Sequence, residues 1–283
     1  MRCQYAFSLV ELLVVLGIVS LLAALLYPTF AAAREKARTT RCLTQLRQLA
    51  HSTQMYLTDH DDTYPLAAFF STHDGQRCFF TLYHALVPYV KDKQIVVCPS
   101  DPNPFDIQWA LEQVSMGSLC PAMGFRHSSY MANWCLIETG ALLGNFHPPV
   151  PAALVEFPAE TVLYYDGGIT GLPSLSPFIQ ARHLERLGVV LADGHSKAWR
   201  AREGYGYHFR ADGVRVRQYC LTEVSAYYRG DIYCRDMIIG VVSRNARSEP
   251  CWYCPQRKPG NVGYLSGNCE RVDVALPRVQ AAD

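Results

Sequence analysis

Between Phe7 and Leu26 the chain is apolar apart from two serines and a single ionisable residue, Glu11. The run is ~20 residues, and at ~1.5 Å per residue a helix of that length spans the ~30 Å of bilayer hydrocarbon. Beyond Pro28 the pattern changes but does not end. Leu43, Leu46, Leu49 or Ala50, Thr53, and Tyr56 or Leu57 recur every three or four residues, which marks one apolar helical stripe. Arg34, Lys36, Arg38, Arg41 and Arg47 supply the polar face, and the period fades at Asp59-His60-Asp61-Asp62, just ahead of Tyr64-Pro65. One helix is therefore expected from about Phe7 to about Thr58, with a membrane half at about 7–27 and an amphipathic half at about 30–58. Pro28 lacks the amide proton that a helix interior needs, so a kink is expected there.

From Tyr64 onward Pro and Gly punctuate shorter apolar runs. Ile95–Cys98, Thr161–Tyr165 and Gly188–Ala192 are rich in β-branched or aromatic residues and read as strands. Asp193-Gly194, between GVVLA and HSKAW, suits a two-residue type I′ hairpin turn, which needs positive φ at both central residues. Asp212-Gly213 centres a second hairpin candidate within Tyr207–Tyr219, and Asp166-Gly167-Gly168 reads as a further turn. The expected fold class is α+β, a long N-terminal helix packed on an antiparallel sheet. Residues 61–200 form the globular domain, and residues 201–283 a cysteine-rich, β-rich extension.

Composition narrows the function more than the fold. The chain carries 26 basic and 25 acidic side chains, so it lacks the basic excess by which nucleic-acid binders neutralise phosphate. Loss of Arg2 with a short leader would leave the two charge classes equal. Eleven cysteines are many for a chain of 283 residues, and without Cys3 the remaining count is even. Disulfides persist outside the cytosol, so this favours an exported domain.

Candidate chemistry is sparse. His183 with Asp193 and Gly194 offers neither a catalytic triad nor enough ligands for a metal, and turn chemistry accounts for the Asp-Gly pair. Cys251 and Cys254 have CxxC spacing, and Cys234 and Cys269 would complete a set of four cysteines. Their flanking gaps of 16 and 14 residues are only loosely zinc-like, so disulfides lead and a structural Zn²⁺ follows. Asp59, Asp61, Asp62 and Asp74 could offer oxygens to a structural Ca²⁺, without an EF-hand loop to arrange them. No P-loop, dinucleotide fingerprint, nucleophile elbow or HExxH is present, so a non-enzymatic role without a cofactor is expected.

Ala6-Phe7-Ser8-Leu9-Val10-Glu11 resembles the processing site of type IV pilins and type II secretion pseudopilins. The resemblance implies a leader, residues 1–6, cut between Ala6 and Phe7 by a prepilin peptidase that also N-methylates Phe7. Glu11 then falls at the fifth mature position, the family's assembly glutamate, and Pro28 at its helix-kinking proline. Ala6 replaces the usual Gly before the cut. Ala33-Arg34-Glu35-Lys36-Ala37-Arg38, Cys42-Leu43, Val97-Cys98-Pro99-Ser100-Asp101 and Pro158-Ala159-Glu160-Thr161 are similar to a pilin-like group with large exported domains. That group carries a His, nine residues, then Asp-Gly, here His183 and Asp193-Gly194.

What the resemblance implies is a single-pass protein of the cytoplasmic membrane with its C-terminal domain exported. It would assemble with other pilin-like subunits through the N-terminal helix, as a pseudopilin or minor pilin. Four basic residues between Arg34 and Arg41 would by charge alone put that flank in the cytoplasm, and the resemblance implies the opposite orientation. Two rivals compete. One is a stand-alone membrane-anchored binding protein that reuses the signal. The other is an ordinary signal peptide ending at Ala31-Ala32-Ala33.

Overall fold

The computed structural model describes residues 8–113, 117–121, 125–137, 148–169, 171, 177–210, 213–221, 241–244 and 250–253. The leader 1–6 with Phe7, and Cys234, Cys254 and Cys269, lie outside the described residues.

One helix dominates. α1 runs unbroken over Leu9–Asp59, 51 residues, with Pro28 inside it. The interruption expected at Pro28 does not break the element, although its missing N–H leaves the carbonyl of Ala24 without its usual donor. Residues 8–30 are all exposed. The membrane-compatible window has a mean hydropathy of 2.8 and none of it is buried. The second half carries the stripe read from the sequence, with Cys42, Leu46, Leu49, Ala50 and Thr53 buried against the domain.

Twelve strands follow among the described residues. β1 (Ala68–His73) and β2 (Gln76–Thr81) form a separate hairpin, followed by the short helix α2 (Leu82–Leu86). β3 (Phe105–Asp106), which leads into α3 (Ile107–Gln113), pairs with β4 (His127–Ser128). The main sheet joins β5 (Tyr130–Ala132), β6 (Val162–Ile169), β7 (Pro177–Ile179), β8 (Arg186–Leu191), β9 (Ser196–Phe209) and β10 (Arg215–Leu221). Its order is β10-β9-β8-β6-β5, with β7 beside the end of β6, and every pairing is antiparallel. β11 (Val241–Arg244) and β12 (Pro250–Tyr253) make one more hairpin. The α+β class is as expected. β9 crosses residue 200, so the sheet draws strands from both sides of that position.

The period of two along the strands gives the sheet two buried faces. Tyr130, Ala132, Tyr164 and Val190 join Leu46 and Leu49 of α1 in one cluster, while Met131, Tyr165, Val189 and Leu191 form a second. Fully burying each leucine contributes ~2 kcal/mol. Polar contacts fix how the helix lies: Thr53 accepts from the Tyr164 hydroxyl at 2.7 Å, and Gln45 Oε1 accepts from the Tyr130 hydroxyl at 2.9 Å.

Three local expectations fail. Ile95–Cys98 is not a strand: Lys93–Val96 is a 3-10 turn whose start is capped by Asp92, and Ile95 and Val96 bury without a strand partner. Asp166-Gly167-Gly168 is not a turn but the interior of β6. Its glycines admit β7, since a Cβ on Gly167 would lie 2.5 Å from the Phe178 carbonyl oxygen. At Asp193-Gly194 only Gly194 has positive φ, 90°. The Gly194 amide donates to Leu191 O and the Leu191 amide to His195 O, so a type I turn with a left-handed glycine replaces type I′. The two-residue turn with both φ positive occurs instead at Asp74-Gly75, joining β1 to β2. The hairpin around Gly213 forms as expected, as β9 and β10.

Candidate functional site

Two regions concentrate chemistry, one at the start of α1 and one where α1 crosses β8. At the first, Ser8 caps the helix. Its hydroxyl accepts from the Glu11 amide at 3.2 Å, and Glu11 Oε2 accepts from the Ser8 amide at 2.9 Å. This capping box satisfies two of the orphan donors at a helix N-terminus. Glu11 thus has a partner within its own chain, which the sequence reading did not anticipate.

The second region gathers charged side chains from four separate stretches. Glu35 comes from α1, Ser100 and Asp101 from the loop after Cys98, Asp166 from the middle of β6, and Arg182-His183 from the segment leading into β8. Glu35 Oε1 accepts from Ser100 Oγ at 2.7 Å and faces His183 Nδ1 at 3.2 Å. His183 Nε2 faces Asp166 Oδ2 at 3.4 Å and Cys98 Sγ at 3.6 Å. Arg182 donates to the Ser129 and Gly167 carbonyls at 2.6 and 3.0 Å, to Gln180, and to Asp166 Oδ1 at 3.2 Å. It also lies 3.0 Å from Asp101 Oδ2, an ion pair without the angular geometry of a hydrogen bond.

The network is enclosed. The side chains of His183 and Asp166 are wholly buried, and the Gly188 amide donates to Asp166 Oδ2 at 2.6 Å. Only glycine fits at that position, because a Cβ on Gly188 would lie 2.9 Å from Asp166 Oδ2. Burial alone disfavours the imidazolium, but Asp166 and then Glu35 outweigh it and raise the His183 pKa above the ordinary range. With a carboxylate at each ring nitrogen, His183 is held as a cation between α1 and β6 and leaves no nitrogen to act as a base.

Beside the imidazole, Cys42 of α1 is disulfide-bonded to Cys98. Cys42 Sγ, Cys98 Sγ and His183 Nε2 lie within 4.8 Å of one another, a spacing that suits a metal. Two sulfurs bonded to each other carry no thiolate charge, so the group does not fit a metal ion. A second disulfide joins Cys78 on β2 to Cys120. The candidate quartet is not tested by this arrangement, and of its members only Cys251 is placed, on β12 opposite Ser243.

The structure therefore separates the predicted motif. His183 precedes β8 and joins the buried network, whereas Asp193 and Gly194 follow β8 and make its turn, with Asp193 Oδ2 2.8 Å from His195 Nδ1. Glu35, Asp101, Asp166 and Arg182 were not singled out by the sequence reading. For Asp166 a signal existed: two glycines directly after an acid at the end of an apolar run fit a strand under close backbone approach as well as a turn. Among the described residues, no three of Asp59, Asp61, Asp62 and Asp74 converge as a ligand set. Asp59 instead accepts from the Tyr89 hydroxyl at 2.8 Å.

With that geometry in hand, one comparison is decisive for the N-terminus: residues 1–27 match the prokaryotic N-terminal methylation motif. The chain carries a prepilin-type N-terminus. No curated protein and no solved structure matches the chain. The prepilin-type start and the exposed apolar half of α1 occupy the same stretch of sequence, and the capping box of Ser8 and Glu11 sits inside the matched residues.

Proposed function

We propose that this protein is a pilin-like subunit, a pseudopilin or minor pilin. A prepilin peptidase would cut it between Ala6 and Phe7 and methylate the new amine. The helix would anchor it in the cytoplasmic membrane, with the domain that begins near residue 61 exported. Mature chains would then assemble through α1 into a fibre of the type II secretion or type IV pilus kind. The chain is a substrate of processing and a structural subunit rather than a catalyst.

The observation that carries this reading is the asymmetry of α1. Its first half is apolar and exposed all round, while its second half is rooted in the domain core. Exposed apolar surface of that extent needs hydrocarbon or neighbouring helices to cover it. Two buried disulfides support an oxidising compartment for the domain.

Mass spectrometry of the mature N-terminus tests the processing step. The expected result is an N-methylated Phe7, and a start at Arg34 would restore the signal-peptide reading. Crosslinking between neighbouring helices tests assembly. A processed chain that stays monomeric in the membrane would favour the stand-alone anchored binding protein instead.

A further inference from the structure

Beside the Arg182–Asp101 ion pair the protein opens a cavity of about 220 Å³, room for roughly seven waters. Its wall brings together Arg182, Arg210 from the turn between β9 and β10, and Arg215 and Arg217 of β10, against one carboxylate, Asp101. Tyr219 adds an aromatic face. Two of the four guanidiniums are built into the protein. The Arg182 side chain is 7% exposed and held by the Ser129 and Gly167 carbonyls. Arg210 is 3% exposed, donates to the Asn103 carbonyl and stands 5.9 Å from the Phe105 ring centroid.

Arg215 and Arg217 stand at the exposed rim, on the outer strand of the sheet as described. Arg217 pairs with Glu203 across the hairpin. A guanidinium carries five N–H donors in a fork that matches a carboxylate or phosphate, so one partner does not exhaust it. Low-dielectric walls concentrate the field of like charges in a concavity. Cations fixed at the floor, cations able to close from the rim, and a ring that can take the apolar face of a sugar are the parts of an oxyanion site.

We infer that this cavity binds a small ligand of monosaccharide size bearing a carboxylate or phosphate. The inference is independent of fibre assembly, since it concerns only the exported domain.

The test is isothermal titration of the full chain in detergent at low salt with glucuronate, glucose 6-phosphate and glucose. The expected result is binding of one or both anions, none of glucose, and weakening as salt rises. Glucuronate alone would identify a carboxylate ligand, and glucose 6-phosphate alone a phosphate ligand. The double substitution R215A/R217A, at exposed positions that leave the core intact, should weaken binding at least about tenfold. R77A, on β2 and away from the cavity, should not change it. Absence of binding by both anions, equal binding of glucose, or unchanged affinity in R215A/R217A would each overturn the site.

Discussion

Glu35 on α1 and His183, 148 residues later, meet with Oε1 and Nδ1 3.2 Å apart. Asp166 closes the other side of the same ring. The contact ties the helix that carries the membrane segment to the sheet of the domain, beside the disulfide that ties the same two parts covalently.

The pair makes stability depend on pH in a defined direction. Burial lowers the His183 pKa, but Asp166 and Glu35 raise it further than burial lowers it, so the folded value lies above 6.5. A raised value means the folded chain holds the proton more tightly than the unfolded one. The contribution is then whole below about pH 6.5 and is lost as pH rises through the folded value. Thermal unfolding between about pH 6 and pH 9 should show a steeper decline for the wild type than for His183→Gln. Parallel declines would show that another group is responsible.

Breaking the Cys42–Cys98 bond releases a chain separation of 56 residues in the unfolded state. Cys42→Ser combined with Cys98→Ser should lower the unfolding free energy by ~4 kcal/mol in guanidinium denaturation. Reducing agent should destabilise that variant less than it destabilises the wild type. An equal effect on both would assign the lost stability to the remaining disulfides.

Directly after His183, Leu184 and Glu185 both adopt left-handed φ, 51° and 60°, while His183 and Arg186 exchange backbone hydrogen bonds. Leu184 is 72% exposed, so no packing offsets its strain. Leu184→Asn with Glu185→Gly places the residues that this turn favours, and should raise stability by ~1–2 kcal/mol in thermal unfolding. A loss of stability would mean that the two side chains make compensating contacts.

Glu11 has two roles that one substitution can separate. Gln keeps the reciprocal bond of a capping box but not the charge, whereas Ala removes both. If the carboxylate pairs with the Phe7 amine of a neighbouring subunit, Glu11→Gln should retain protein level and processing yet lose extractable fibres. Fibres that persist with Gln and disappear with Ala would assign the role to the helix cap.

How much was legible in the sequence follows from the range of each interaction. The extent of α1 was readable to within a residue or two because helical periodicity and its acidic end are local signals. The strands at β6 and β8 and the hairpin at Gly213 were readable for the same reason. The prepilin-type start was readable because its residues act as a contiguous segment. Asp166-Gly167-Gly168 was misread because an Asp-Gly-Gly stretch is a turn or a strand according to whether a neighbouring backbone approaches, and β7 does. Ile95–Cys98 has strand composition, yet only a partner strand would make it one. The charged network and the cysteine pairings left no trace in spacing, since ions and sulfurs from distant stretches meet only once the core has placed them. The sequence by itself determined a membrane-length helix, its amphipathic continuation and an α+β domain. Tertiary structure alone decided that His183 is a buried cation between Glu35 and Asp166, because no local pattern encodes which acids will share a low-dielectric site.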